Sequence, residues 1–266
     1  MKQRIHFITY GDSPKYSISK KHILGLAKHS GFFESCSGYS KKDLDYEFIN
    51  KYNDILNEER GGGYYLWKPR IIYNVLKNIK PDDVLVYTDS GSTFNYHAKN
   101  RFYDYIELLI SSEFGNLRFE NKKQYIEKYW TSKELFEYFN VDIDSNNAES
   151  VQLMGGHLLF QNNEHTKNLL EEFFEVVNYD RKLITDFYTE NSIKGFQENR
   201  HDQSILSLLT KTLGGVILEN ETFFDKGSET QKNYPFLSVR NYGHGKRDRI
   251  KFLINFKEIK KNPIYF

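Results

Sequence analysis

Cysteine is almost missing from this 266-residue chain, Cys36 being the only one. That excludes an internal disulfide framework, CxxC redox chemistry and cysteine-rich zinc sites. Neither sign of charge prevails: 37 Lys+Arg against 36 Asp+Glu leave a formal net charge of +1. A nucleic-acid coat or a polybasic membrane tail is therefore disfavoured. No run approaches 18 apolar residues, and MKQRIHFITYG enters a strand directly. The expectation is a cytoplasmic chain with no membrane span and no signal peptide. Internal repeats, low-complexity tracts and a linker that would split the chain are missing too. At this length roughly three quarters of the unfolded surface can be buried, so one domain forms without metals or disulfides.

Aromatics are plentiful, with 20 Tyr and 21 Phe. Tyrosine joins an apolar face to a polar tip, which suits sugar and base surfaces. A genome rich in A and T gives the same composition whatever the function.

The first half alternates strands with helices. Residues 5–10 form a short apolar run that ends at Gly11-Asp12-Ser13-Pro14, a buried strand followed by a loop. A helix is predicted over 18–28 with Gly31 as its stop, and a second strand over 32–36. The cluster Gly61-Gly62-Gly63 leads into Tyr64-Tyr65-Leu66-Trp67-Lys68-Pro69, with Pro69 placed in the first turn of a helix. Behind it Ile72, Val75, Leu76 and Ile79 keep helical spacing. Residues 84–88 read as the next strand, stopping at Asp89-Ser90-Gly91. This order predicts an α/β fold with a mostly parallel sheet covered by helices.

Further along, Thr131 and Glu134 are spaced as a capping box. Residues 151–160 look strand-like but carry Gly155-Gly156, a bend where something approaches the backbone. His201-Asp202-Gln203-Ser204 opens a helix whose apolar side is Ile205, Leu208 and Leu209. That arrangement leaves the polar first turn free to face a substrate. The tail VRNYGHGKRDRIKF gathers Arg240, His244, Lys246, Arg247 and Arg249.

The stretch GGGYYLWKPRIIYNVLKNIKPDDVLVYTDSGSTF resembles a segment of bacterial and large-virus glycosyltransferases with the GT-A fold. TYGD, WTSKELF and RHDQSILSLL resemble them in the same order, over roughly residues 4 to 210. The resemblance implies one GT-A-like (Rossmann-like) domain over 1–266 with a central mixed, mostly parallel sheet flanked by helices, and with a nucleotide-binding half (1–110) and an acceptor half with the basic tail (111–266). It implies a nucleotide-sugar donor (UDP- or GDP-linked), a glycan or other hydroxyl acceptor, and Mn2+ or Mg2+ as cofactor.

Under that reading Asp89 ends a strand where open α/β sheets place ligands, and it reaches the metal with Ser90 and Gly91 beside it. Gly91 stands where a DxD motif has its second carboxylate, and the resemblance offers His244 as a substitute ligand. Thr9, Tyr10 and Asp12 adjoin the nucleoside, Asp12 alternatively making an Asx turn. Lys68 precedes a helix and meets phosphate or sugar hydroxyls, and Trp67 is either a sugar platform or core. Gly155 and Gly156 make room for the donor, while His157 faces the pocket or sits satisfied in the core. Arg240, Lys246 and Arg247 match a diphosphate, or else form a solvated face. Asp202 is the expected general base near the anomeric carbon, with His201 orienting it or touching the acceptor. A non-catalytic nucleotide- or glycan-binding protein on the same sheet is the alternative, with Gly91 as the mark of lost metal chemistry.

Overall fold

The computed structural model describes residues 3–187, 193–224 and 228–239. Eight strands are present among them: β1 (Ile5–Tyr10), β2 (Ser35–Tyr39), β3 (Val84–Thr88), β4 (Thr93–Phe94), β5 (Asn116–Phe119), β6 (His157–Gln161), β7 (Val216–Leu218) and β8 (Phe236–Leu237). Six of them make the main sheet, in the order β2-β1-β3-β6-β5-β7. β1 pairs parallel with β2 and β3, and β5 parallel with β7, while β6 runs antiparallel to both its neighbours. β6 is thus the single reversed strand of a mixed, mostly parallel sheet. Its reversal has a local consequence: the residues entering β6 lie against the residues leaving β3, with Thr88 opposite His157.

Alternation along the buried strands divides the core into two layers. Ile8, Leu85, Tyr87, Leu158 and Phe160 face one side, against the Trp67–Asn78, Glu164–Tyr179 and Asp202–Leu213 helices. Phe7, Val84, Val86, Leu117 and Leu159 face the other, against the Pro14–Ser30 and Lys99–Ile110 helices. β4 and β8 form a separate antiparallel pair that brings Ser238 and Val239 back to the ends of the central strands.

Local chemistry explains where several elements begin. The first helix starts at Pro14 because the Ser13 hydroxyl accepts from the Tyr16 amide, and it stops at Gly31 in the left-handed region. Its span is longer than the predicted 18–28, and β2 lies three residues beyond the predicted 32–36. The capping box is not formed. Ser132 is the cap residue of the Lys133–Tyr138 helix, and Thr131 is buried with its hydroxyl donating to Glu127 at 2.6 Å. The strand expected over 151–160 is shorter: only His157–Gln161 joins the ladder, with isolated bridges at Val151 and Leu153.

Candidate functional site

A cleft of about 640 Å³ opens where β1 and β3 end. β1 has β2 on one side and β3 on the other, so this is the point at which strand order reverses and open sheets take ligands. Asp12, Ser13 and Tyr16 form one wall, Gly61, Gly62 and Tyr65 a second. Asp89, Ser90 and Gly91 face Gly156, Gln203 and Ser238 across the floor. Both expected halves of the chain therefore contribute.

Beneath the cleft lies Lys68, only 3% exposed. Its Nζ stands 2.7 Å from Asp202 Oδ2, as an ion pair rather than an aligned hydrogen bond, and 3.6 Å from Asp89 Oδ1. It donates to the Gly155 carbonyl at 3.0 Å and lies over the Tyr65 and Tyr87 rings. Burial pulls the Lys68 pKa down, but Asp202 and Asp89 outweigh it and leave the ammonium more basic than usual. Asp202 is the reverse case: burial raises its carboxyl to about 6 against the pull of Lys68.

The two carboxylates sharing this lysine differ in access. The Asp89 side chain is 43% exposed and the Asp202 side chain 4%. Asp89 Oδ1 accepts from the Tyr87 hydroxyl at 2.7 Å, and the Asp89 amide donates to the Gly156 carbonyl at 2.8 Å. Its Oδ2 has no protein donor among the described residues. A Cβ on Gly156 would stand 3.2 Å from that oxygen, and one on Gly155 would stand 3.1 Å from Gln203 Cβ. The glycine pair thus gives Asp89 and Gln203 room that a Cβ would narrow by a few tenths of an ångström.

Tyr10, Asp12, Trp67, Asp89, Ser90, Gly91 and Gly156 reach the cleft wall as expected. Asp12 makes no Asx turn; its Oδ1 accepts from the Lys41 amide at 3.2 Å and ties two loops together. Trp67 is no open platform. Tyr10 stacks on its ring at 3.6 Å, and its indole N–H donates to the Gly61 carbonyl at 2.9 Å. Thr9 is buried within β1 and does not reach the cleft.

His157 is a core histidine. Its ring contacts Thr88 and Ser238, and burial pushes it down to about 3, so it stays neutral. The free polar turn expected at the start of the Asp202–Leu213 helix does not exist, because that helix is buried on nearly every side. Asp202 turns inward to Lys68 and is not on the cleft wall. His201 faces away: Nδ1 donates to the Ile184 carbonyl at 3.0 Å, and burial lowers its pKa to about 4. Arg240, His244, Lys246, Arg247 and Arg249 lie outside the described residues.

Sequence reasoning missed Gln203 as a cleft residue, although it lies inside the RHDQS signature. Gln203 Oε1 accepts from the Gly155 amide at 2.9 Å, and its Nε2 donates to Gln152 at 2.6 Å. Also missed was the backbone of residues 61–65, all with φ between 50° and 94°. Three glycines make this left-handed turn cheap, but Tyr64 and Tyr65 adopt it at a cost. His201, with φ 55°, packs its ring on both tyrosines at 4.9 and 6.3 Å. Strain of this kind concentrates at functional sites.

No protein-family model and no curated protein matches the chain. Among solved structures, a glycosyltransferase involved in the glycosylation of the major capsid of PBCV-1 matches 96% of this chain and 99% of its own, with a TM-score of 0.54 at 12% identity. The fold is that of a GT-A glycosyltransferase. The galactosyltransferase LgtC, solved with donor and acceptor sugar analogues, covers 96% of this chain and 95% of its own at a TM-score of 0.46 and 11% identity. Mouse xyloside xylosyltransferase 1 covers 84% and 87% at a TM-score of 0.43 and 8% identity.

Among the described residues no helix is long and apolar enough to cross a membrane, and no group of three or more His, Cys, Asp and Glu side chains is placed to hold a metal. Asp89 is a single carboxylate with one oxygen open to the cleft. That donor set fits a magnesium-like ion, which keeps several waters and takes its other ligands from substrate phosphates. It does not fit a closed, all-protein cage.

Proposed function

We propose that this protein is a glycosyltransferase that moves a sugar from a UDP- or GDP-linked donor to a glycan or other hydroxyl acceptor, assisted by Mn2+ or Mg2+. The observation that carries the reading is Asp89: a half-exposed carboxylate at the reversal point of the sheet, held by Tyr87 and Lys68 in a GT-A fold.

Charge on the cleft wall supports the metal. Asp12, Glu59 and Asp89 line it against Lys41, so a diphosphate entering this space needs a cation with it. Asp89 would hold that ion, which when bound stabilises the charge on the departing nucleoside diphosphate. The chain's own residues do the rest by positioning. Tyr87 and Lys68 fix the carboxylate, Gly156 leaves the floor clear, and Gln203 holds the Gly155 amide. Asp202 serves as the counter-ion of Lys68. It lies behind the lysine, so an acceptor hydroxyl in the cleft does not reach it, and the general-base role expected for it is withdrawn.

Calorimetry with UDP and GDP, with and without manganese, tests the reading, followed by a screen of nucleotide sugars for hydrolysis. Metal-dependent nucleotide binding with slow donor hydrolysis is expected. Glycan binding indifferent to metal, with no hydrolysis of any donor, would replace the enzyme by a binding module on the same fold.

A further inference from the structure

Arg118 on β5 is wholly buried. Its Nη2 donates to the Met154 carbonyl at 2.9 Å, while Nε and Nη1 have no hydrogen-bond partner. Burial lowers its pKa to about 10, with Asp202 and Glu127 opposing, so it is cationic at neutral pH. A buried guanidinium with two unmet donors costs stability that an apolar side chain of the same volume would not. Hydrophobic packing does not explain it.

Its neighbour along the backbone supplies the explanation. Three successive carbonyls are gripped from below: Met154 by Arg118, Gly155 by Lys68, and Gly156 by the Asp89 amide. Met154 and Gly156 form the floor of the cleft, and Gly155 and Gly156 have no side chains with which to anchor it. A glycine-rich segment outside the ladder is free to shift unless polar contacts hold it.

We propose that Arg118 is a positioning residue that, paired with Lys68, clamps the Met154–Gly156 floor and thereby fixes Asp89 beneath the donor. The clamp rests on the transferase reading only for its kinetic consequence; its geometry is tested without turnover.

Two readouts decide it, in Arg118→Met, Arg118→Lys and a Leu109→Ala control that loosens the core packed on Leu117 and Phe119, the face of β5 opposite Arg118. The first is amide hydrogen exchange at Asp89, Gly155 and Met154. Arg118→Met exchanges these about tenfold faster than the control at equal stability, and Arg118→Lys, which keeps the cation, about threefold faster. The second uses whichever of UDP-glucose, UDP-galactose or GDP-mannose the wild type hydrolyses with manganese. There Arg118→Met lowers kcat about tenfold or more, with KM within about twofold. Should Arg118→Met not fold, Arg118→Lys carries both measurements. A folded Arg118 variant whose three amides exchange no faster than in the control overturns the clamp. A wild type that turns over no donor counts against the transferase instead, and the exchange data still decide the role of Arg118.

Discussion

The rim of the cleft and the layer beneath it are both ionic, yet they are built on opposite terms. On the rim, Asp12, Glu59 and Asp89 stand at the edge of solvent with Lys41 for company. Beneath it, Lys68, Asp202, Arg118 and Glu127 are sealed from water. Rim charges are available to a ligand and contribute little to the fold. Of the sealed charges Lys68 is committed to Asp202 and Glu127 to Lys211, so removing one of a pair leaves its partner stranded. Glu127 shows the pattern: it accepts from Thr131 and Gln152 and pairs with Lys211 at 2.8 Å. On the proposed reading the open layer meets the ligand and the closed layer holds it in place.

The comparison is broken most severely at Lys68. Lys68→Met leaves Asp202 buried without its cation, and we expect a loss of about 3–5 kcal/mol in chemical denaturation together with loss of nucleotide binding. Lys68→Met combined with Asp202→Leu recovers most of the stability but not the binding. A double variant that binds normally would show that the closed layer is dispensable.

Acid is the next lever. His22, His157 and His201 are buried neutral, with pKa values lowered by burial to about 4, 3 and 4. The unfolded chain takes up protons near pH 6.5 and the folded chain does not, so their contribution is complete above pH 6.5 and is lost as pH falls toward 4. Asp202, raised to about 6, acts in the opposite direction over the same window. Three groups outweigh one. Stability falls between pH 7 and pH 5 by an amount on the order of 1–2 kcal/mol per histidine. Urea midpoints at the two pH values measure it, and an unchanged midpoint would contradict the sealed layer.

The rim responds differently. Asp89→Asn keeps its bulk in an exposed place, so the melting temperature stays near that of the wild type while manganese-dependent UDP or GDP binding weakens about tenfold or more. Calorimetry separates this from Lys68→Met, which loses both. Smallest is Gly156→Ala, whose methyl group crowds Asp89 Oδ2 at 3.2 Å. A side-chain adjustment of a few tenths of an ångström accommodates it, so the change weakens nucleotide affinity by less than about tenfold and stability by about 1 kcal/mol or less.

Each layer was legible only in part: the sequence singles out Asp12 and Asp89 on the rim and Lys68 and Asp202 beneath it, but not Lys41, Glu59, Arg118 or Glu127. β1, the Trp67–Asn78 helix and β3 with Asp89 at its end follow from local patterns of apolar residues, proline and glycine. The closed layer depends on which distant segments meet. RHDQSILSLL reads as a helix with one apolar side, but Ser204, Ser207 and Thr210 are buried as well, satisfied by Trp130, Glu127 and Leu206. Asp202 looked free only because its partner sits in another part of the chain. Arg118 carries no local signal: a lone arginine in a strand reads as a surface residue. A mixed sheet follows from the resemblance, but that β6 is the reversed strand does not, since strand direction is set by pairing and not by the strand's own residues.

That reversed strand has a consequence for attempts to work with part of the chain. β3 is buried along its whole length and is paired by β1 on one side and β6 on the other. A fragment cut after the Lys99–Ile110 helix keeps β1, β2 and β3 but turns Val-Leu-Val-Tyr-Thr into a bare outer strand. Its unmet N–H and C=O groups and apolar side chains form a template for self-association. The isolated first half is thus expected to aggregate, because the strand that covers this side of β3 arrives only at His157–Gln161.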